Sequence, residues 1–271
     1  MSMVTHKPTA VCFSGLDPSG GAGLLRDLST LYDHPLHVMA VLTSETVQSS
    51  DECFEIKSPA CAPATTFSKL APILPGTWGA KLGLLAISAD ELSRLMGELA
   101  HLPPRYLIWD PILNPSQGVG LHSNGSLLNM AKQIGSARRS DCDWVISPNW
   151  IEFKALTSAT DSMEPKDLIN ASRSIFNLGF SYLWLKGGHG MGESIRDYWI
   201  TNNDCVAIAT HERNPVKPRG TGCFLSSSWL AYRLQGLNGL ESARQATDDL
   251  QKLWSTSDVL PGGTRPILGL R

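Results

Sequence analysis

The six cysteines, Cys12, Cys53, Cys61, Cys142, Cys205 and Cys223, include no pair at CxxC spacing. A chain of 271 residues can bury a core without covalent staples, so free thiols in a reducing cytoplasm are expected. The seven histidines form no HExxH pattern, which argues against a zinc centre. Neither sign of charge dominates: 23 Lys and Arg stand against 25 Asp and Glu, a formal charge of −2. That balance argues against a nucleic-acid binder. Uninterrupted apolar runs are too short to span a bilayer, and residues 1–8 lack the apolar stretch of a signal peptide. There is no internal repeat, low-complexity tract or convincing linker. One domain over residues 1–271 is therefore expected.

What is present is alternation. Short, near-continuous apolar runs at 10–14, 38–42, 79–84, 106–109, 144–147 and 182–186 predict buried parallel strands. Between them, 22–31, 63–74, 89–99, 126–137 and 167–178 predict helices. In the first helix Leu24, Leu25, Leu28 and Leu31 predict the buried stripe, with Arg26 and Asp27 outside it. A hairpin is predicted over 194–210, then helices near 222–233 and 240–255 and an irregular surface tail over 256–271. The pattern is that of an α/β protein: a central, mostly parallel sheet with helices on both faces.

Ligands of such sheets bind beyond the carboxyl ends of the strands. After the first strand comes Gly15-Leu16-Asp17-Pro18-Ser19-Gly20-Gly21-Ala22-Gly23. Glycines allow close backbone approach to a ligand, and the helix start offers free N–H groups. No Lys-Ser or Lys-Thr closes the loop, so it is not a Walker loop, and a plain tight turn is the alternative. Gln48 follows the second strand. Its amide pairs a donor with an acceptor, which matches an amino group beside a ring nitrogen. Asp110 ends the fourth strand, and Asn149 and Glu152 follow the fifth. Carboxylates there suit Mg²⁺, directly or through water, although Asp110 and Asn149 also suit helix caps. Lys186, before two glycines, suits a phosphate. Gly220-Thr221-Gly222-Cys223 opens a helix, where successive N–H groups form an anion hole. The helix field lowers the pKa of a thiol in that first turn and suits a thiolate that takes a proton, although a small buried hydrophobe is the alternative for Cys223.

Together with Lys81-Leu82-Gly83-Leu84-Leu85, Asp110-Pro111-Ile112, Pro148-Asn149-Trp150-Ile151-Glu152 and Lys186-Gly187-Gly188-His189, these motifs occur in order. The set resembles the hydroxymethylpyrimidine/phosphomethylpyrimidine kinases of thiamine biosynthesis. The resemblance implies a ribokinase-like three-layer α/β/α sandwich, use of ATP with Mg²⁺, and a homodimer. It implies phosphorylation of 4-amino-5-hydroxymethyl-2-methylpyrimidine, then of its monophosphate. Gly15, Asp17, Gln48, the backbone of Leu84 and Ile112 would line the pyrimidine pocket. Asp110 and Glu152 would organise Mg²⁺, while Lys186 and Asn149 would meet ATP. Cys223 would stand where sugar kinases of the superfamily carry an Asp base, over the anion hole of Gly220, Thr221 and Gly222. Ile112, Leu84 and Ser147 replace the common Val, Met and Thr. Glu45 brings a charge to a usually small or apolar position, which would alter the pocket if it faced inward. Pyridoxal kinase is the alternative within the fold, since pyridoxal also carries a hydroxymethyl on an aromatic nitrogen ring. A non-catalytic sensor would have eroded metal and phosphate positions, and Asp110, Glu152, Lys186 and Cys223 are all retained.

Overall fold

The computed structural model describes residues 7–113, 124–157, 159, 161, 164–189, 194–212, 216 and 218–269. Its strands are β1 (Thr9–Leu16), β2 (His37–Gln48), β3 (Cys53–Lys57), β4 (Trp78–Leu82), β5 (Tyr106–Trp109), β6 (Asp143–Ile146), β7 (Tyr182–Leu185), β8 (Ser194–Ile200) and β9 (Cys205–Glu212). They form one sheet in the order β3-β2-β1-β4-β5-β6-β7-β8-β9. From β2 through β7 neighbouring strands run parallel, while β3, β8 and β9 add antiparallel edges.

The helices are α1 (Gly23–Tyr32), α2 (Pro63–Leu70), α3 (Ala89–His101), α4 (Asn124–Ser136), α5 (Trp150–Leu156), α6 (Pro165–Asn177), α7 (Thr221–Leu234) and α8 (Gly239–Trp254). Strand side chains alternate between two cores, as the period of two requires. Val11 and Phe13 pack with α2 to α6, as do Leu107 and Trp109. Ala10, Cys12, Ile108 and Trp184 point the other way, onto α1, α7 and α8. The three-layer α/β/α sandwich is therefore what the alternation predicted.

The structure departs from the sequence reading in several places. Strand β3 was not predicted; it is a short, largely exposed edge paired to β2. Helix α5 was also missed, being only seven residues long. The segment 63–74 is α2 followed by a short 3₁₀ turn at Ala71–Ile73. On α1 the expected stripe is rotated: Leu25 is 42% exposed, whereas Arg26 and Asp27 are buried. Their polar ends have buried partners, so hydrophobicity alone misplaces the face. The tail is also more ordered than expected. Within it β10 (Asp258–Val259) pairs with β11 (Pro266–Ile267), and Leu268 enters the core beside α1. Its last two residues lie outside the described residues.

Strand order reverses at β1. The chain runs from β1 to β2 on one side and later places β4 on the other. The crevice at such a switch point is where open α/β sheets bind ligands.

Candidate active site

The wall of the crevice is built at the ends of β1, β2 and β4. Gly15 sits so close to its neighbours that a Cβ there would lie 2.3 Å from Ser44 Oγ and 3.0 Å from Leu84 Cδ2. Gly15 and Leu84 thus meet across the switch point, and Gln48 ends β2 half-buried nearby in sequence order. The carbonyl of Leu84 accepts a bond from the Thr43 hydroxyl. Ser44 is fully buried, and its hydroxyl has no protein partner. Glu45 does not point inward. It is exposed opposite Lys57, while Ser44 and Thr46 beside it are buried.

The loop after β1 is held by its own polar groups. Asp17 is buried, accepts from the Ser19 amide at 2.9 Å and hydroxyl at 2.6 Å, and pairs with Arg219 at 3.0 Å. Both carboxylate oxygens thus anchor the loop. Gly23, at φ +60°, packs where a Cβ would lie 2.3 Å from the Gly15 carbonyl, so only glycine fits.

The opposite wall gathers the charged residues. Asp110, at the end of β5, accepts from Lys186 at 2.5 Å, and both side chains are largely buried. Lys186 follows β7 and is held by a backbone bond to Pro148. Burial pulls the Lys186 pKa down, but Asp110 and Glu152 outweigh that and leave it raised. Glu152 lies on the first turn of α5. Asn149 caps that helix through bonds from the Ile151 and Glu152 amides, and Glu152 accepts in return from the Asn149 amide at 2.8 Å. The capping alternative therefore holds for Asn149. Burial pushes the Glu152 carboxyl up to about 7; Lys186 opposes this and Asp110 adds to it.

The Gly220–Cys223 turn lies against this pair. Gly220 has φ 87°, and a Cβ there would strike the Gly21 carbonyl at 2.3 Å. A Cβ on Gly222 would lie 3.2 Å from Asp110 Oδ2 and 3.5 Å from Lys186 Nζ. The start of α7 thus presents its unbonded N–H groups beside an ammonium and a carboxylate. Cys223 is 6% exposed, and its sulfur accepts from the Gly23 amide. The expected thiolate is corrected here. Burial pushes the thiol up to about 12; Lys81 draws it down, while Asp27 and Asp110 raise it. At this position desolvation outweighs the field of the helix start.

The match to the phosphomethylpyrimidine kinase family model runs over residues 17–264. The chain belongs to the phosphomethylpyrimidine kinase family. It is 26% identical over 257 residues to the hydroxymethylpyrimidine/phosphomethylpyrimidine kinase of Aquifex aeolicus, covering 94% of this chain and 97% of that protein. Among solved structures, the phosphomethylpyrimidine kinase of Clostridium difficile 630 superposes with a TM-score of 0.72 at 23% identity, covering 91% of this chain and 99% of that one. The pyridoxal kinase of Staphylococcus aureus bound to ADP superposes with a TM-score of 0.82 at 18% identity, covering 98% and 94%. These two likenesses confirm the fold.

Sequence reasoning missed the family member's buried polar framework: Lys81, Asp27, Arg26, Ser44 and Arg219. A lysine in an otherwise apolar strand was a signal for Lys81. The others became visible only once their partners were in place.

Proposed function

We propose that this kinase transfers the terminal phosphate of ATP to the 5-hydroxymethyl oxygen of 4-amino-5-hydroxymethyl-2-methylpyrimidine, and then phosphorylates the monophosphate to the diphosphate. The observation that carries the reading is the placement of Gly222 against Asp110 and Lys186. A cation, a carboxylate and a helix N-terminus converge there at the strand ends. Phosphoryl transfer needs little covalent help, and positioning plus electrostatics supply most of the acceleration.

In this reading Lys186 and the amides at the start of α7 hold the phosphates. Gly15 and Leu84 pack against the ring, Ile112 closes the pocket, and the Gln48 amide reads the aminopyrimidine edge. Asp17 supports the pocket through its loop, and Asn149 supports the ATP side by fixing Glu152. Asp110 and Glu152 fit Mg²⁺: burial and the nearby Asp110 carboxylate raise the cost of charging Glu152, which a cation relieves. When bound, Mg²⁺ neutralises charge on the phosphate oxygens.

Cys223 is held as a thiol at rest. To act as base, Cys223 would first give its own proton to solvent. The thiolate would then take the alcohol proton while the alcohol oxygen bonds to the terminal phosphorus and the bond to ADP breaks.

Pyridoxal is the alternative alcohol, and Gln48 favours the aminopyrimidine over it. The chain is read as one cytoplasmic domain acting on small molecules, without nucleic acid or membrane partners, and as a homodimer. No helix among the described residues is long and apolar enough to cross a membrane. An ATP-coupled assay with hydroxymethylpyrimidine, its monophosphate and pyridoxal side by side tests the function. Turnover of pyridoxal alone would overturn it.

A further inference from the structure

We infer that Arg219 is a positioning residue for phosphoryl transfer, clamping the pyrimidine-pocket loop to the anion hole. This rests on the kinase reading above. Arg219 directly precedes Gly220 and is 6% exposed. Its Nη1 donates to the carbonyls of Ser49 at 2.8 Å and Ser50 at 2.9 Å, and to the Ser19 hydroxyl at 3.4 Å. Its Nη2 donates to Asp17 Oδ2 at 3.0 Å. One guanidinium therefore joins the loop after β1 to the two residues that follow Gln48.

The backbone of Arg219 carries the clamp further. Its amide donates to the Pro266 carbonyl at 2.9 Å, and its carbonyl accepts from the Leu268 amide at 3.2 Å. Arg26 grips the same tail by donating to the carbonyls of Leu268 and Gly269. The Arg26 Nε lies 3.2 Å from where a Cβ of Gly220 would stand. Asp51 closes the ring by accepting from the Thr264 and Arg265 amides at 2.9 to 3.1 Å. The tail, the pocket loop and the start of α7 thus form one hydrogen-bonded body.

A planar fork with five donors can serve four acceptors in fixed directions; a lysine ammonium with three cannot. Loosening the clamp should move Gln48 and Gly220 relative to each other. Lys186 stands outside the network, so its own contact with ATP should be spared.

Steady-state kinetics of the full-length chain test this with Arg219→Lys and Asp17→Asn. For Arg219→Lys, the KM for hydroxymethylpyrimidine should rise and kcat should fall, lowering kcat/KM about 100-fold, the scale of a displacement near 1 Å. The KM for ATP should rise less than that for the pyrimidine, because Lys186 keeps its hold on the phosphates outside the clamp. Asp17→Asn should shift the same parameters in the same direction. The double variant should lose little beyond Arg219→Lys, since both residues act through one clamp. Wild-type kcat/KM in a folded Arg219→Lys protein overturns the inference. A fall in kcat with unchanged pyrimidine KM also overturns it, since that pattern marks a smaller folded fraction. Additive losses in the double variant would sink it even if Arg219→Lys folds poorly. A wild-type chain inactive on both hydroxymethylpyrimidine and pyridoxal fails differently, because it removes the kinase reading itself.

Discussion

Lys81 Nζ lies 2.6 Å from Asp27 Oδ2, and neither side chain is exposed. The pair joins the middle of β4 to α1, and the second Asp27 oxygen accepts from Ser227 on α7 at 3.0 Å. Burial pulls the Lys81 pKa down, but Asp27 and the further negative groups outweigh it and leave it raised. The Lys81 ammonium therefore stays charged within the core. Removing one partner strands a charge in the core. Lys81→Met should destabilise the fold by about 3–5 kcal/mol. Chemical denaturation measures this, and replacing Asp27 as well with an apolar residue should restore much of the loss.

Cys223 faces both buried ion pairs, with Lys81 favouring its ionisation and Asp27 and Asp110 opposing it. A general base contributes typically 10²- to 10⁴-fold. Cys223→Ala should lower kcat by about 100-fold or more and leave the ATP dissociation constant nearly unchanged. Full turnover in this variant would leave the backbone amides of the turn as the whole catalytic feature.

Thiol chemistry gives an independent check on the resting state. Cys61 is exposed, whereas Cys12, Cys53, Cys142 and Cys223 are buried and Cys205 is intermediate. Burial pushes Cys223 up to about 12 and Cys205 up to about 11. Since the thiolate is the reactive form, iodoacetamide at pH 8 should modify Cys61 first and leave Cys12 and Cys223 among the last. Peptide mapping by mass spectrometry reads the order. Prompt labelling of Cys223 in the unliganded protein would contradict a neutral, buried thiol.

Glu152 makes stability depend on pH. Its carboxyl is raised from 4.5 to about 7 by burial, with Asp110 adding to the effect. Between those values the folded state binds more proton than the unfolded chain. Stability from this group is thus fully present below pH 4.5 and is lost as pH rises through about 7. Glu152→Gln should flatten that decline, and the variant should gain on wild type as pH rises, by up to about 3 kcal/mol. Urea melts from pH 4.5 to 7.5 without ligand compare the two proteins. Parallel curves would refute the assignment.

Gln48 is the last residue of β2, the strand beside β1 in the sheet. Gln48→Ala should weaken hydroxymethylpyrimidine binding by roughly 1–3 kcal/mol, the scale of a lost bidentate amide contact. Calorimetric titration measures it. Unchanged affinity would remove Gln48 from substrate recognition.

Much of the architecture was legible because strand and helix periods are local. The apolar runs ending at Trp109 and Leu185 needed no partner to read as buried strands. The ordered motifs located the crevice for a similar reason, since strand ends and helix starts are marked by Gly, Asp and Asn. Strand β3 escaped because its exposed residues carry neither alternation nor a long apolar run.

By itself, the sequence determined the layered α/β plan, the strand ends that carry chemistry, and the family. Only the tertiary structure decided which polar residues are buried. Arg26 and Asp27 look like surface charges one at a time, and their burial, like that of Lys81, is tolerable only because distant partners meet them. The same holds for Arg219, whose side-chain acceptors lie 169 to 202 residues away along the chain. It holds also for Cys223, where a local field argument predicted a thiolate and desolvation by the assembled core keeps a thiol.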